Sequence, residues 1–136
     1  MYDFMTQMVY TIGRYDGQVI NMLGTGFLVA NGKYVVAPRH VVGDNDNGLG
    51  IILPSISSMN EYQDTTINSC NFANVNIKFS DPFRDIVILE LKDQSATFTT
   101  PSIGSINDVS VGDEILIFGF PHCTEGRRVL TMQKAM

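Results

Sequence analysis

Short apolar segments separated by polar turn residues run along nearly the whole chain. Residues 8–12 and 19–23 are rich in β-branched, aromatic and aliphatic side chains, and a Tyr-Asp-Gly turn at 15–17 lies between them. Residues 75–79 alternate apolar and polar, which predicts a strand with one buried face. We find no convincing amphipathic helix, so the pattern predicts an all-β antiparallel barrel or sandwich. Four aromatic residues are expected in its core: Phe27, Tyr34, Phe79 and Phe118.

The clearest local element is a β-hairpin in the first third of the chain. Its arms are residues 24–30, Gly-Thr-Gly-Phe-Leu-Val-Ala, and the apolar run that begins at Tyr34 and leads into His40. Asn31 and Gly32 between the arms predict a type I′ turn, because this pair accepts positive φ angles. The glycines of the first arm indicate a bulge or a close backbone approach. The hairpin therefore presents one histidine at the end of a buried strand.

Composition and charge limit the classes of function. With 136 residues, 44% of them hydrophobic and 17% charged, we expect one globular domain spanning 1–136. The net charge of −5 argues against a nucleic-acid partner, since such proteins carry a basic surface. No apolar run approaches the ~20 residues that span a bilayer, and no secretory signal precedes Gly13, so no membrane partner and a cytoplasmic location are expected.

Metal and disulfide chemistry receive little support from the residues. Cys70 and Cys123 either form one bridge or remain free thiols, and free thiols are the favoured alternative. The acidic loop at 43–48 lacks the spacing of an EF-hand calcium loop. A metal site built from His40 and His122 lacks a carboxylate cluster at ligand spacing. We therefore predict no cofactor and no metal.

A second candidate functional residue follows at the start of another strand. Asp85 opens the apolar run 86–91. Acyl transfer by a serine needs a base that removes the hydroxyl proton and a carboxylate that orients the base. His40 and Asp85 can fill these two roles. The alternatives are a hydrogen-bonded structural histidine and an acid that closes the turn beside Arg84.

Four motifs in the same order resemble a known family. They are Gly-Thr-Gly-Phe at 24–27, the His-Val-Val segment at 35–42, the Asp-Ile-Val segment at 85–89, and the strand with its Gly-x-Pro stop at 111–121. Together, over roughly residues 7–131, they resemble the first β-barrel of trypsin/chymotrypsin-like serine peptidases, with the bacterial high-temperature-requirement branch nearest. The resemblance implies a six-stranded antiparallel Greek-key-like barrel, the N-terminal half of a two-barrel fold whose second barrel is absent from these residues.

The resemblance also implies an activity and its residues. His40 would be the general base and Asp85 its orienting carboxylate, in a serine endopeptidase that acts through an acyl-enzyme intermediate. The Gly-x-Ser-Gly-Gly nucleophile turn of the family does not occur in the 136 residues, and neither the serines nor Cys123 replaces it. The chain alone is therefore expected to be inactive. Its expected partners are a protein or peptide substrate and the missing second barrel, or a second copy bound through the exposed docking face.

One departure from the family pattern and one alternative function accompany this interpretation. The family usually has small residues before the histidine, whereas this chain has Ala37, Pro38 and Arg39. The bulky Arg39 must therefore point to solvent or meet a carboxylate. The alternative function is a non-enzymatic β-barrel interaction module that retains the peptidase scaffold.

Overall fold

A closed barrel of six antiparallel strands is the main body of the protein. The computed structural model describes residues 3–53, 62–63, 71–92, 103–121, 123–125 and 128–135. The barrel order is β1-β2-β3-β6-β5-β4, and β7 and β8 form a separate two-stranded sheet. The strands are β1 (Val9–Tyr15), β2 (Ile20–Val29), β3 (Tyr34–Pro38), β4 (Leu49–Ile52), β5 (Phe72–Asp81), β6 (Ile86–Leu91), β7 (Ile115–Gly119) and β8 (Thr131–Ala135).

Helical structure in the described residues is confined to short turns. One α-helical turn, α1 (Arg39–Val42), follows β3. The 3₁₀ turns are Asp3–Gln7, Ala30–Gly32, Ile106–Asp108 and Cys123–Glu125. Within this part of the chain, none of the helices has the length and apolar character that a membrane crossing requires.

The pairing of β3 with β6, which are not consecutive along the chain, gives the barrel its Greek-key character. β3 pairs with β6 instead of β4, and β4 instead pairs with β1 and closes the barrel. All seven pairings among the described strands are antiparallel. The prediction of an all-β, six-stranded antiparallel barrel is confirmed.

The glycine-rich arm of the hairpin belongs to one long strand. The two predicted strands at 19–23 and 24–30 are the single strand β2, which contains a bulge because Ile12 pairs with Gly24 while Gly13 pairs with Met22. Gly26 lies over the core, where an added Cβ would be 2.7 Å from the Ile12 side chain. The bulge and the close approach that the glycines indicated are both present.

The hairpin turn differs from the predicted type. The last paired residues are Val29 and Tyr34, so four residues form the loop, and a 3₁₀ turn spans Ala30–Gly32. The left-handed backbone positions are Ala30, at φ 53°, and Gly32, at φ 89°. The type I′ prediction is therefore wrong, because strand pairing ends earlier than a two-residue turn requires.

Inward-facing side chains of all six barrel strands fill the barrel, and Val42 of α1 joins them. Val35, Val75, Val87 and Leu89 have no exposed surface, and their burial removes apolar area from water. The whole cluster comprises Tyr10, Ile12, Leu28, Val35, Ala37, Val42, Leu49, Ile51, Val75, Val87 and Leu89. The position of Val42 in this cluster anchors α1 to the barrel.

Two of the four aromatic residues predicted in the core face outward instead, and a third, Tyr34, is only partly buried and belongs to neither apolar cluster. Phe79 is 56% exposed, because β5 has a register shift between Ile77 and Phe79 that moves Phe79 to the outer face. Phe27 is 44% exposed, and it pairs across β2 and β3 with Val36. The core prediction is wrong for both residues: period-two alternation does not continue through the bulge before Phe79, and Phe27 lies between Gly26 and Leu28, which face the core.

The β7–β8 sheet packs against the outside of β1 through a second, smaller apolar cluster. Val9 and Leu130 are buried at its centre, with Met5, Phe118 and Phe120 packed around them. The Thr25 hydroxyl accepts a hydrogen bond from the Phe120 N–H at 2.9 Å, which ties the end of β7 to β2. The strand at 111–121 therefore lies beside the barrel and is not one of its six strands.

Two buried threonines test how much a hydrogen bond to a buried hydroxyl contributes to stability. Thr11 is fully buried, and its Oγ1 has no hydrogen-bond partner among the described residues. We expect Thr11→Val to raise the free energy of unfolding by about 1 kcal/mol, because it removes an unsatisfied buried hydroxyl. Thr6, whose hydroxyl accepts from Gln7 Nε2 at 3.2 Å, is the matched control, and Thr6→Val should destabilise. Urea unfolding measures both, and a loss of stability in Thr11→Val would contradict the assignment.

Candidate active site

His40 lies on the single helical turn that follows β3. Pro38 ends the strand with φ −67° and ψ 133°, an extended conformation that its ring favours, and α1 begins at the next residue. Val42 inserts into the core, and Gly43, at φ 80°, ends the turn. The turn is thus fixed on its inner side, and the His40 side chain, 71% exposed, is presented on its outer side.

Asp85 lies at the end of the turn that joins β5 to β6. The pairing of Pro38 with Ile86 places this position directly beside the start of α1. Asp85 has a left-handed backbone at φ 57°. Asp81 also stabilises this turn, since its carboxylate accepts the N–H groups of residues 83 and 84 and lies 3.5 Å from Arg84 Nη1.

The Asp85 carboxylate binds His40 at two points. Its Oδ1 accepts the His40 backbone N–H at 2.7 Å, and its Oδ2 lies 2.5 Å from His40 Nδ1. A proton on Nδ1 is the tautomer that satisfies this contact, and it leaves Nε2 as the ring nitrogen able to accept a proton. The arrangement orients the imidazole and leaves Nε2 free of this contact.

The electrostatics of the pair favour an ionised carboxylate. The side-chain hydrogen bond from His40 lowers the pKa of Asp85 most, and the His40 backbone N–H and the positive charges of His40 and Arg39 add to this effect. Folding therefore favours the charged form of Asp85. This contributes stability above the ordinary pKa of 3.8, and the contribution is lost as the pH falls through the lower folded-state value.

Two arginines hold the segments that carry the pair. Arg14 donates to the Val42 carbonyl at 3.0 Å and to the carbonyls of Asn45 and Asn47 at 2.7 Å each, so it holds the end of α1 and the loop that follows. Arg39 meets a carboxylate, as expected, because its Nη2 lies 2.5 Å from Asp44 Oδ1. No sequence signal marked Arg14, since it contacts loop carbonyls about 30 residues away.

Two carboxylates of the acidic loop make structural contacts. Asp44 pairs with Arg39, and Asp46 Oδ2 accepts the Ile77 N–H at 3.0 Å. Within the described ranges, no group of three or more His, Cys, Asp or Glu side chains is arranged to hold a metal ion. His122, the other candidate ligand, lies outside these ranges.

One of the two cysteines lies within the described residues and the other lies outside them. Cys70 lies outside the described residues, while Cys123 is a buried free thiol. Burial raises the pKa of the Cys123 thiol, which reduces its reactive thiolate form. Its environment is thus the opposite of one that activates a nucleophile.

The close approach of Gly24 to α1 gives one test of the site. A Cβ at this position would be 2.8 Å from Val41 Cγ1. We expect Gly24→Ala to lower the free energy of unfolding by about 1–3 kcal/mol through overpacking and to displace α1. Gly104→Ala is the control, because its Cβ would meet nothing nearer than Asp108 Oδ2 at 3.7 Å. Urea unfolding compares the two, and equal stabilities would contradict the prediction.

The coupling between His40 and Asp85 gives a second test. The pKa of Asp16 is also lowered, by the backbone N–H groups of Val19 and Gln18, and so has a cause independent of histidine. In His40→Ala, the pKa of Asp85 should rise toward 3.8 while that of Asp16 stays low. Carboxyl-carbon NMR titration measures both in one sample. An unchanged pKa of Asp85 in His40→Ala would show that the histidine does not stabilise the carboxylate.

Comparisons with known proteins identify the family and the fold. The family model described as the trypsin-like peptidase domain matches residues 24–135, a range that includes both His40 and Asp85. Among solved structures, the HtrA-type protease AlgW with decapeptide is similar at a TM-score of 0.61 and 16% sequence identity, over 93% of this chain and 41% of that one. This likeness concerns the fold, and a comparison with curated proteins gave no match. The chain belongs to the trypsin-like peptidase domain family.

Proposed function

We propose that this chain provides the acid–base part of a serine endopeptidase, with His40 as the general base and Asp85 as its orienting carboxylate. The observation that carries the proposal is the two-point contact of the Asp85 carboxylate with the His40 backbone N–H and Nδ1. Such a contact fixes the position and the tautomer of an imidazole, which are the two properties that a general base of this kind needs.

The proposed proton transfers follow from the tautomer. His40 Nε2 takes the proton of a serine hydroxyl as its oxygen attacks the carbonyl carbon of the peptide bond. The resulting imidazolium is stabilised by Asp85, which stays ionised because its pKa is lowered. His40 then gives the proton to the amine nitrogen as the C–N bond breaks, which leaves the acyl group on the serine. A water molecule, deprotonated by His40 in the same way, attacks the ester carbon, and His40 returns the proton to the serine oxygen as the C–O bond breaks.

The nucleophile in this proposal comes from a second barrel, on the same polypeptide or on another. Two of the described serines already have structural hydrogen bonds: Ser80 Oγ accepts from Arg39, and Ser105 Oγ accepts from the Asn107 N–H. Exposed apolar residues on β7, Ile115 at 44% and Ile117 at 49%, offer a surface for that barrel. The bound decapeptide of AlgW supports a protein or peptide as the substrate class.

The proposal is tested on the protein expressed with all coding sequence that follows residue 136 in frame. Cleavage of a fluorogenic unfolded protein gives kcat and KM. We expect His40→Ala and Asp85→Asn each to lower kcat by about 10⁴-fold, because each removes one part of the triad. Asp113→Asn, a change at a carboxylate that accepts the Ser110 N–H in an exposed turn, is the control and should retain activity.

Further outcomes test the role of His40 and the interaction-module alternative. The 136-residue chain alone should show no turnover, and turnover that survives His40→Ala would overturn the role of His40. A reading frame without a Gly-x-Ser-Gly-Gly motif, together with no turnover of the expressed product, would contradict a nucleophile on the same polypeptide and favour the interaction-module alternative.

A further inference from the structure

We propose that Arg39 is a positioning residue for the His40–Asp85 pair, and that its guanidinium, held by Ser80 and Asp44, keeps the imidazole in the tautomer with the proton on Nδ1. The importance of that tautomer for catalysis rests on the proposed function. The positioning role itself concerns only the geometry of this chain.

The first support is that Arg39 connects the three segments surrounding the pair. Its Nε donates to Ser80 Oγ on β5 at 3.0 Å, and its Nη2 lies 2.5 Å from Asp44 Oδ1 in the loop after α1. Its backbone N–H donates to the Asp85 carbonyl at 3.1 Å. A shift of Arg39 would therefore move both members of the pair, since His40 is its neighbour in α1.

The second support is that the pair is open to solvent, so water weakens its own two-point contact. The His40 and Asp85 side chains are 71% and 48% exposed, and exposed ion pairs contribute little because water competes and side-chain freedom is lost. The left-handed backbone at Asp85 also has an energetic cost that neighbouring contacts must offset. Arg39 is 29% exposed, and its planar guanidinium can bind two acceptors in fixed directions.

The third support comes from the contrast with Arg84, which precedes Asp85 in the chain. Arg84 is 81% exposed, and its described ion pair is with Asp81 at 3.5 Å. Arg39 is among the charges that lower the pKa of Asp85, after the larger effects of the hydrogen bonds from His40. The two arginines thus have the same charge and nearly the same sequence distance from the site, but different contacts.

The test is nitrogen-15 NMR of the imidazole rings in the full chain at alkaline pH, where the ratio of Nδ1–H to Nε2–H tautomers is read directly. The sequence has two histidines, and His122→Gln assigns the signals. We expect the Nδ1–H form of His40 to predominate, and Arg39→Met to lower the ratio about two- to fivefold, the range that an exposed ion pair contributes. Arg39→Lys should restore part of the ratio, and Arg84→Met, the matched control, should leave it unchanged.

Further variants keep the proposal falsifiable if Arg39→Met fails to fold. Asp44→Asn alters a carboxylate that is 76% exposed, and Ser80→Ala removes the other acceptor. Both should shift the ratio in the same direction by less than Arg39→Met. The proposal is overturned if neither variant shifts the ratio, or if Arg84→Met shifts it equally. Because no nucleophile enters this measurement, a failed peptidase assay would not alter its result, and an unchanged ratio would leave the peptidase proposal intact.

Discussion

The pairing of β3 with β6 determines both the core and the candidate site. In this register Pro38 is opposite Ile86, so the residues that follow Pro38 meet the residue that precedes Ile86. The same register turns Val35 and Ala37 of β3 and Val87 and Leu89 of β6 into the barrel. A slip of one residue would expose these side chains and also separate His40 from Asp85. The apolar core therefore enforces the geometry that brings the His40 and Asp85 side chains together.

The exposed pair depends on buried and partly buried contacts around it. Val42 fixes α1 from inside the barrel, and Gly24 allows Val41 to approach β2. Arg14 and Arg39 hold the two ends of the same turn through loop carbonyls, a serine and a carboxylate. A general base, the role proposed for His40, needs access to its proton donor, so its orientation must come from contacts on the protected side of the turn. Here the outer side of α1 leaves the imidazole exposed, and the contacts on its inner side hold the turn in place.

The two sheets differ in how fully they are covered. The barrel has a continuous core and no open edge among its six strands. The β7–β8 sheet is two-stranded, and a sheet of this size is marginally stable unless it packs on something else. One side packs against Val9 and its neighbours, while Ile115 and Ile117 stay exposed. Ile115 and Ile117 are therefore the surface to which the proposal assigns further protein.

The sequence alone was sufficient for the all-β class, for the six-stranded barrel through a family resemblance, and for selecting His40 and Asp85 at strand ends. These features depend on residue type and order, which local propensity and motif spacing report. The tertiary structure decided the length of the hairpin loop, the outward positions of Phe27 and Phe79, and the contact of Arg39 with Ser80 across 41 residues. It also decided the contact between His40 and Asp85, 45 residues apart. Strand register and bulges are chosen by the packing of distant segments, and no local stretch of sequence contains that information.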